Sequence, residues 1–338
     1  MPDRCKERGT YMKKTQAMVS LLLAIVLLLT CSIMPALADQ ELKVKVKAEF
    51  RYKEARKMLD LINSFRTGND AWYWAEDNKT VVRASGLGKL TYDYNLERVA
   101  MQRALELAAY FGHTRPDGSS WSTAFPSGYG TKGENLAYGY GSADSAFKGL
   151  ADEDKDYAGQ GHRRNMLRKE FTRVGIGAVK VGNVIYWAQS FGGGSGSSGS
   201  DSNRFKSDKI TASMDLLVSN SKSIGSDLES LSVAKGESET LPKVVIYSKS
   251  GAKLYVTDCS WESANKKIAK VKNNKVKGVK KGETTLEAKF GGKTITLPIK
   301  VTAKATSAQI SEIIEDYDPP LAGEFLIVLE EDECFEIE

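Results

Sequence analysis

Val174-Gly175-Ile176-Gly177-Ala178-Val179-Lys180-Val181, then Gly182-Asn183, then Val184-Ile185-Tyr186-Trp187-Ala188-Gln189-Ser190-Phe191, is the stretch on which the fold turns. Two apolar runs rich in β-branched and aromatic residues are separated by two turn-forming residues, which predicts an antiparallel hairpin. Upstream the period is different. Ala55, Met58, Leu59, Ile62 and Phe65 recur at helical spacing and predict a helix with one buried face over 51–66. Asp93 can cap a second helix whose apolar face is Leu96, Val99, Ala100, Leu107, Ala108 and Phe111, before Pro116-Asp117-Gly118 turns the chain. Shorter helices are expected over 143–152 and 163–168. Helices first and an antiparallel pair late define an α+β domain.

Downstream of the hairpin, residues 192–203 are all Gly, Ser, Asp or Asn, which reads as a flexible linker and predicts two halves that fold independently. From 228 to 303 the chain shows short strands and turns. Leu286, Ala288 and Phe290 alternate with polar neighbours, Gly291-Gly292 turns, and Ile295, Leu297, Ile299 and Val301 alternate again. Pro298 has no amide to give a neighbour, so the last strand is expected at a sheet edge.

The first 38 residues read as an export signal. Lys13 and Lys14 precede a largely apolar run from Met18 to Met34, and Ala36-Leu37-Ala38 offers small residues for cleavage before Asp39. Met12 is an alternative start. No later apolar run has spanning length, so no membrane span is expected in the mature chain, and secretion to the exterior or the cell wall follows. The formal charge of +5 is modest and does not call for nucleic acid. It is unevenly spread: from Ile310 onward there are eleven Asp and Glu and no Lys or Arg. Of four cysteines, Cys5 and Cys31 leave with the signal. Cys259 and Cys334 remain, paired or free, which excludes a disulfide-dense scaffold.

Both histidines lie in glycine-flanked segments, Gly112-His113-Thr114-Arg115-Pro116-Asp117-Gly118 and Gly159-Gln160-Gly161-His162-Arg163-Arg164-Asn165, with Gly133-Glu134-Asn135-Leu136-Ala137 between them. Together with Tyr186-Trp187-Ala188-Gln189, these segments resemble the signature of the CAP superfamily (cysteine-rich secretory protein, antigen 5 and pathogenesis-related 1; the SCP-like extracellular domain), in order and in spacing. The resemblance implies an α-β-α sandwich with a central cleft lined by two histidines and two acids. His113, Glu134 and His162 carry over directly. For the second acid Glu153 is chosen, because a Tyr follows it four residues later, with Asp154 and Asp156 as alternatives. Phe147 stands where many relatives have Trp, and the disulfides of animal and plant members are missing. Trp261-Glu262-Ser263, Ile268-Ala269-Lys270-Val271 and Val276-Lys277-Gly278-Val279 resemble the group 2 bacterial immunoglobulin-like domain, which implies a small all-β sandwich. The expected organisation is a signal peptide (1–38), a CAP domain (39–192), a linker with an unassigned segment (193–226), an immunoglobulin-like domain (227–303) and an acidic tail (304–338).

The residues allow several functions. Imidazole moves protons at neutral pH or donates a nitrogen to a metal, and a carboxylate on its other nitrogen fixes the tautomer. The favoured reading is ligand binding in a cleft of His113, Glu134, Glu153 and His162, the second domain retaining the protein at a surface through a wall polymer or a surface protein. A rival is a hydrolase in which His113 and His162 hold zinc and Glu134 acts as general base on a water. A third is a structural surface protein in which these groups form a buried polar network. Ser119 and Ser120 follow a turn without a strained nucleophile elbow, and Arg163 and Arg164 read as a solvated face.

Overall fold

A computed structural model describes residues 40–77, 79–152, 161–194, 198–200, 208–290 and 292–304. The chain divides into two compact units. The first consists of the residues up to Asp227 together with 243–260 and 289–295, and the second of 228–242, 261–288 and the residues from 296 onward.

In chain order the first unit builds β1 (Glu41–Phe50), α1 (Tyr52–Thr67), β2 (Trp72–Trp74), β3 (Val81–Arg83), β4 (Thr91–Tyr92), α2 (Tyr94–Ala109), β5 (Thr131–Tyr138), α3 (Ala143–Ala151), α4 (His162–Met166), β6 (Arg173–Val181), β7 (Val184–Gly193), β8 (Asp208–Leu217) and β9 (Ser221–Ser226). The next two strands, β10 (Leu231–Ala234) and β11 (Ser238–Thr240), belong to the second unit, whereas β12 (Val244–Ser248) and β13 (Lys253–Val256) return to the first. The hairpin expected at 174–191 is β6–β7, paired from Arg173↔Gly192 to Val181↔Val184. Gly182 supplies the left-handed turn position at φ 58°.

That hairpin sits in a nine-stranded sheet of order β5-β7-β6-β1-β13-β12-β9, with β4 parallel to β6 and β8 paired to β1. Strand β1 is Glu-Leu-Lys-Val-Lys-Val-Lys-Ala-Glu-Phe, and its strict alternation buries Leu42, Val44, Val46, Ala48 and Phe50 while leaving Lys43, Lys45 and Lys47 in solvent. It pairs with β8 along its whole length, from Glu41↔Leu217 to Phe50↔Asp208. On its other edge it meets β13 at Val44↔Val256 and β6 at Phe50↔Val179.

Helix α2 starts at the expected cap: the Asp93 carboxylate, fully buried, accepts from the amides of Asn95 and Leu96 and from the Tyr129 hydroxyl at 2.7 Å. Burial, with the neighbouring Asp93 next in importance, pushes the Tyr129 hydroxyl up to about 12. The helix lies against Gly175 and Gly177 of β6 so closely that a Cβ at Gly175 would stand 2.0 Å from backbone atoms of Leu96 and Glu97. Gln189 of β7 points the opposite way, donating to the Met58 sulfur of α1 at 3.0 Å. Both faces of the hairpin are thus covered by helices, and both its strands are buried almost throughout.

Residues 243–260, placed by sequence reading within the immunoglobulin-like segment, are held in this unit by more than sheet pairing. The buried Ser248 hydroxyl donates to the Ala108 carbonyl of α2 at 2.7 Å, and the Tyr186 hydroxyl donates to Ser250 O at 3.1 Å. The expectation that the chain up to 192 folds alone therefore meets a structural objection. A fragment of residues 40–194 keeps only two residues of pairing for β1, and it should melt lower or aggregate, compared by circular dichroism and gel filtration with one of residues 40–260.

The second unit also contains β14 (Ser260–Ser263), β15 (Ala269–Lys272), β16 (Lys275–Gly278), β17 (Gly282–Phe290) and β18 (Lys293–Thr302), arranged as a four-stranded sheet β10-β18-β17-β14 and a three-stranded sheet β11-β16-β15. Leu286, Ala288 and Phe290, and then Leu297, Ile299 and Val301, are buried as expected, whereas Ile295 is only partly buried. Strand β18 is not an edge: β10 runs parallel to it from Leu231↔Ile299 to Ala234↔Thr302. Pro298 is tolerated because this ladder begins one residue after it, where no amide is yet required. Helices and strands together make an α+β protein. Among the described residues no helix is long and apolar enough to cross a membrane.

Candidate functional site

The site begins with a cation that interrupts an apolar stripe. Arg103 stands on the buried face of α2 among Leu96, Val99, Ala100 and Leu107, and it is fully buried. Its Nε donates to Glu134 Oε2 at 2.7 Å, one Nη to Glu106 Oε2 at 2.6 Å, and the other to Gly112 O at 2.8 Å and Glu134 Oε1 at 3.3 Å. Burial alone would lower the Arg103 pKa. The hydrogen bonds and charges of Glu134 and Glu106 more than offset it and leave the pKa raised. Glu106 is also bound by Arg115, with contacts down to 2.6 Å.

Glu134 comes from β5 and is 4% exposed. Its Oε1, shared with Arg103, lies 3.0 Å from Nδ1 of His113, whose side chain is 60% exposed. A carboxylate on Nδ1 favours the tautomer protonated there and turns Nε2 outward as the free lone pair. A buried cation thus fixes a buried anion, and the anion orients an exposed imidazole.

His162 opens α4, and its backbone carbonyl accepts from Asn135 Nδ2 at 3.0 Å. Asn165, one turn along the same helix, donates to Glu134 O at 3.2 Å and to Asn135 Oδ1 at 2.8 Å, while Asn135 also donates to Gln189 Oε1 at 2.8 Å. This network ties β5, α4 and β7 together beside the His162 backbone. Burial, and to a lesser degree the neighbouring His113, lowers the His162 pKa. The unfolded chain therefore takes up this proton first as the pH falls. Stability from this group is complete above about 6.5, the ordinary histidine value, and is lost as the pH drops below it toward the depressed folded value. Melting temperatures should fall between pH 7.5 and 5, and His162→Gln should flatten that fall.

The structure joins His113 directly to Glu134, while His162 is tied in through its backbone to Asn135 of the same strand. Glu153, with Asp154 and Asp156, lies outside the described residues. Among those described, no group of three or more His, Cys, Asp and Glu is gathered as for a metal. Arg163 and Arg164 are not a solvated face. Arg163 is 3% exposed, donates to the carbonyls of Trp72, Ala151 and Asp70, and stacks 4.0 Å from the Trp72 ring centroid, while Arg164 donates to the carbonyls of Trp74 and Ala75. The two long side chains converge on one loop, although their Cα atoms point apart, because a five-residue helix leaves its flank open. Ser119 is occupied locally, its hydroxyl donating to Asp117 at 2.6 Å. A cavity of about 660 Å³ opens beside α4 between Tyr73, Arg83, Arg164 and Lys169, and none of His113, Glu134 or His162 lines it.

Sequence reading missed Arg103, Asn135 and Asn165. The signal for Arg103 was present, since a charge at position 103 falls in register with 96, 99, 100 and 107, where an unpaired cation would be prohibitive.

Part of the chain is similar to known proteins. A family model described as "Cysteine-rich secretory protein family" (CAP) matches residues 59–191, and this segment of the chain is a CAP domain. Over 111 residues the chain is 32% identical to "Uncharacterized protein YkwD" of Bacillus subtilis (strain 168), covering 31% of this chain and 40% of that one. The chain thus spans about two fifths of the length of this curated relative. Among solved structures it is similar to an extracellular protein containing an SCP domain from Bacillus anthracis (22% identity, 41% of this chain and 40% of that one, TM-score 0.31) and to NaASP2 with Zn2+ (20% identity, 42% and 78%, TM-score 0.29).

Proposed function

We propose that the chain is an exported, extracellular or wall-associated protein whose CAP domain binds a ligand in the cleft of His113, Glu134 and His162. The β-rich second unit, read as immunoglobulin-like, assists retention at the surface. The observation that carries this reading is the chain of contacts from Arg103 through Glu134 to His113, which leaves a largely exposed imidazole anchored at the end of a buried ion pair. Folding energy is committed to aiming that imidazole at something outside the chain.

Zinc is the second reading, and the donor chemistry suits it. Nε2 of His113 is turned outward by Glu134, and His162 is held toward its neutral, donating form. A bound zinc would polarise a water or a ligand carbonyl. Both Glu134 oxygens already accept hydrogen bonds, which favours an orienting role over that of general base.

The test is chemical protection of His113 in the full-length protein. Soluble cell-wall fragments and zinc, added separately, should each slow diethylpyrocarbonate modification of His113 if that additive occupies the cleft. Glu134→Gln should weaken the protection at least tenfold in concentration. Unchanged modification of His113 with both additives would remove the binding reading.

A further inference from the structure

Strand β1 turns Lys43, Lys45 and Lys47 to one side, about 7 Å apart given a strand rise of about 3.3 Å per residue. Pairing with β8 and β13 fixes what surrounds them. Lys45 stands opposite Ser213 on one side and Tyr255 on the other, and Lys47 stands opposite Thr211. The ammonium groups of Lys243 and Lys253 lie 5.3 and 5.5 Å from the Tyr255 ring centroid. Tyr247, opposite Lys253 on β12, is 46% exposed. The acids of this face sit toward its ends, where Asp215 faces Lys43 and Glu49 faces Lys209. Among the described residues the ammonium groups of Lys45, Lys47, Lys243 and Lys253 form no ion pair within 4.0 Å, although the Asp227 carboxylate accepts from the Lys243 backbone amide at 2.7 Å. Lys45, Lys243 and Lys253 therefore gather around one tyrosine in the middle of an open sheet face, with Lys43 and Lys47 beside Lys45 along the strand and the acids Glu49, Asp215 and Asp227 at the margins. The cations outnumber these acids, and an anion laid across the face would relieve their mutual repulsion.

We propose that this face binds a flexible single-chain polyanion other than nucleic acid, carrying phosphate groups along its backbone, independently of the histidine cleft. The chemistry follows from the layout. Lysines repeating along a straight strand match charges repeating along a chain, and several weak contacts made by one molecule add through effective concentration. Tyr247 and Tyr255 supply flat apolar surface for the uncharged parts of each repeat. Among the described residues this face carries no protruding aliphatic cluster that would enter a bilayer, which favours a polymer over a lipid surface.

The experiment measures binding of the full-length protein to long-chain inorganic polyphosphate, to orthophosphate, to duplex DNA and to vesicles rich in anionic phospholipid. We expect polyphosphate to bind, with an affinity that falls steeply with salt. Orthophosphate at equal total phosphate should not compete. The triple variant Lys45→Glu/Lys47→Glu/Lys253→Glu should lose affinity on the order of a hundredfold, about fivefold per lysine. The variant Lys79→Glu/Lys89→Glu/Lys148→Glu changes net charge equally elsewhere and should lose less than threefold. Equal losses in the two variants, no polyphosphate binding, or a preference for DNA or vesicles would each overturn the proposal. Melting curves of both variants establish that they fold, and the single variant Lys45→Glu stands in should the triple not. Because the readout does not involve His113, failure here leaves the cleft reading intact.

Discussion

Replacing Arg103 by methionine should destabilise the protein by about 3–5 kcal/mol, the usual loss when one partner of a buried ion pair is removed. The side chain has no exposure, so water cannot take over its role, and its removal leaves Glu134 buried beside a single imidazole. Glu106 retains Arg115 and should contribute less to the loss. Urea denaturation of wild type, Arg103→Met, Glu134→Leu and the double variant would show the coupling. The double variant should recover part of the stability that Arg103→Met loses, because an apolar pair is better buried than a lone carboxylate. Losses that simply add would mean that the two side chains act separately.

Gly175→Ala and Gly177→Ala should each cost about 3 kcal/mol or more, at the upper end of overpacking. The obstacle is backbone rather than a movable side chain: a Cβ at Gly177 would lie 2.2 Å from Ala100 O, and one at Gly175 would lie 2.0 Å from Leu96 C. Helix α2 would have to lift away from β6, carrying Arg103 and the Glu134 pair with it. His113 should then lose its fixed orientation, visible as a change in its ring chemical shifts by NMR. Gly141→Ala, where the new methyl meets nothing within 4 Å, should stay within about 0.5 kcal/mol of wild type.

What the sequence revealed follows from how local each signal is. Helix α2 and its Asp93 cap, α1 within a residue at each end, and the β6–β7 hairpin were all written in periodicities of a few residues. The alternation of β1 is equally plain in the sequence, yet no strand was read from it. Its partners could not be read locally, since Lys45 pairs with Ser213 and with Tyr255, far along the chain. Polar residues of β8 obscured its period, because only Ala212 and Leu216 are buried. The Arg163 result has a similar cause, as nothing near 163 announces that carbonyls at 70 and 72 need a donor. The joining of His113 to Glu134 was legible only through family resemblance, and the Arg103 link beneath it only by asking why a charge interrupts an apolar stripe.

The position of β1 sets a schedule for the growing chain. Whether it is emerging from a ribosome or a membrane pore, the strand near the front of the chain must wait for residues 208–217 and 253–256 before its hydrogen bonds close on both sides. Until some two hundred further residues have followed, Leu42, Val44, Val46 and Ala48 have no settled partners, and a strand with such regular alternation is ready to pair with another copy. Its lysines are then an asset of a different kind. Three like charges on one side of an unclosed strand discourage self-association during the interval in which the fold cannot yet protect it.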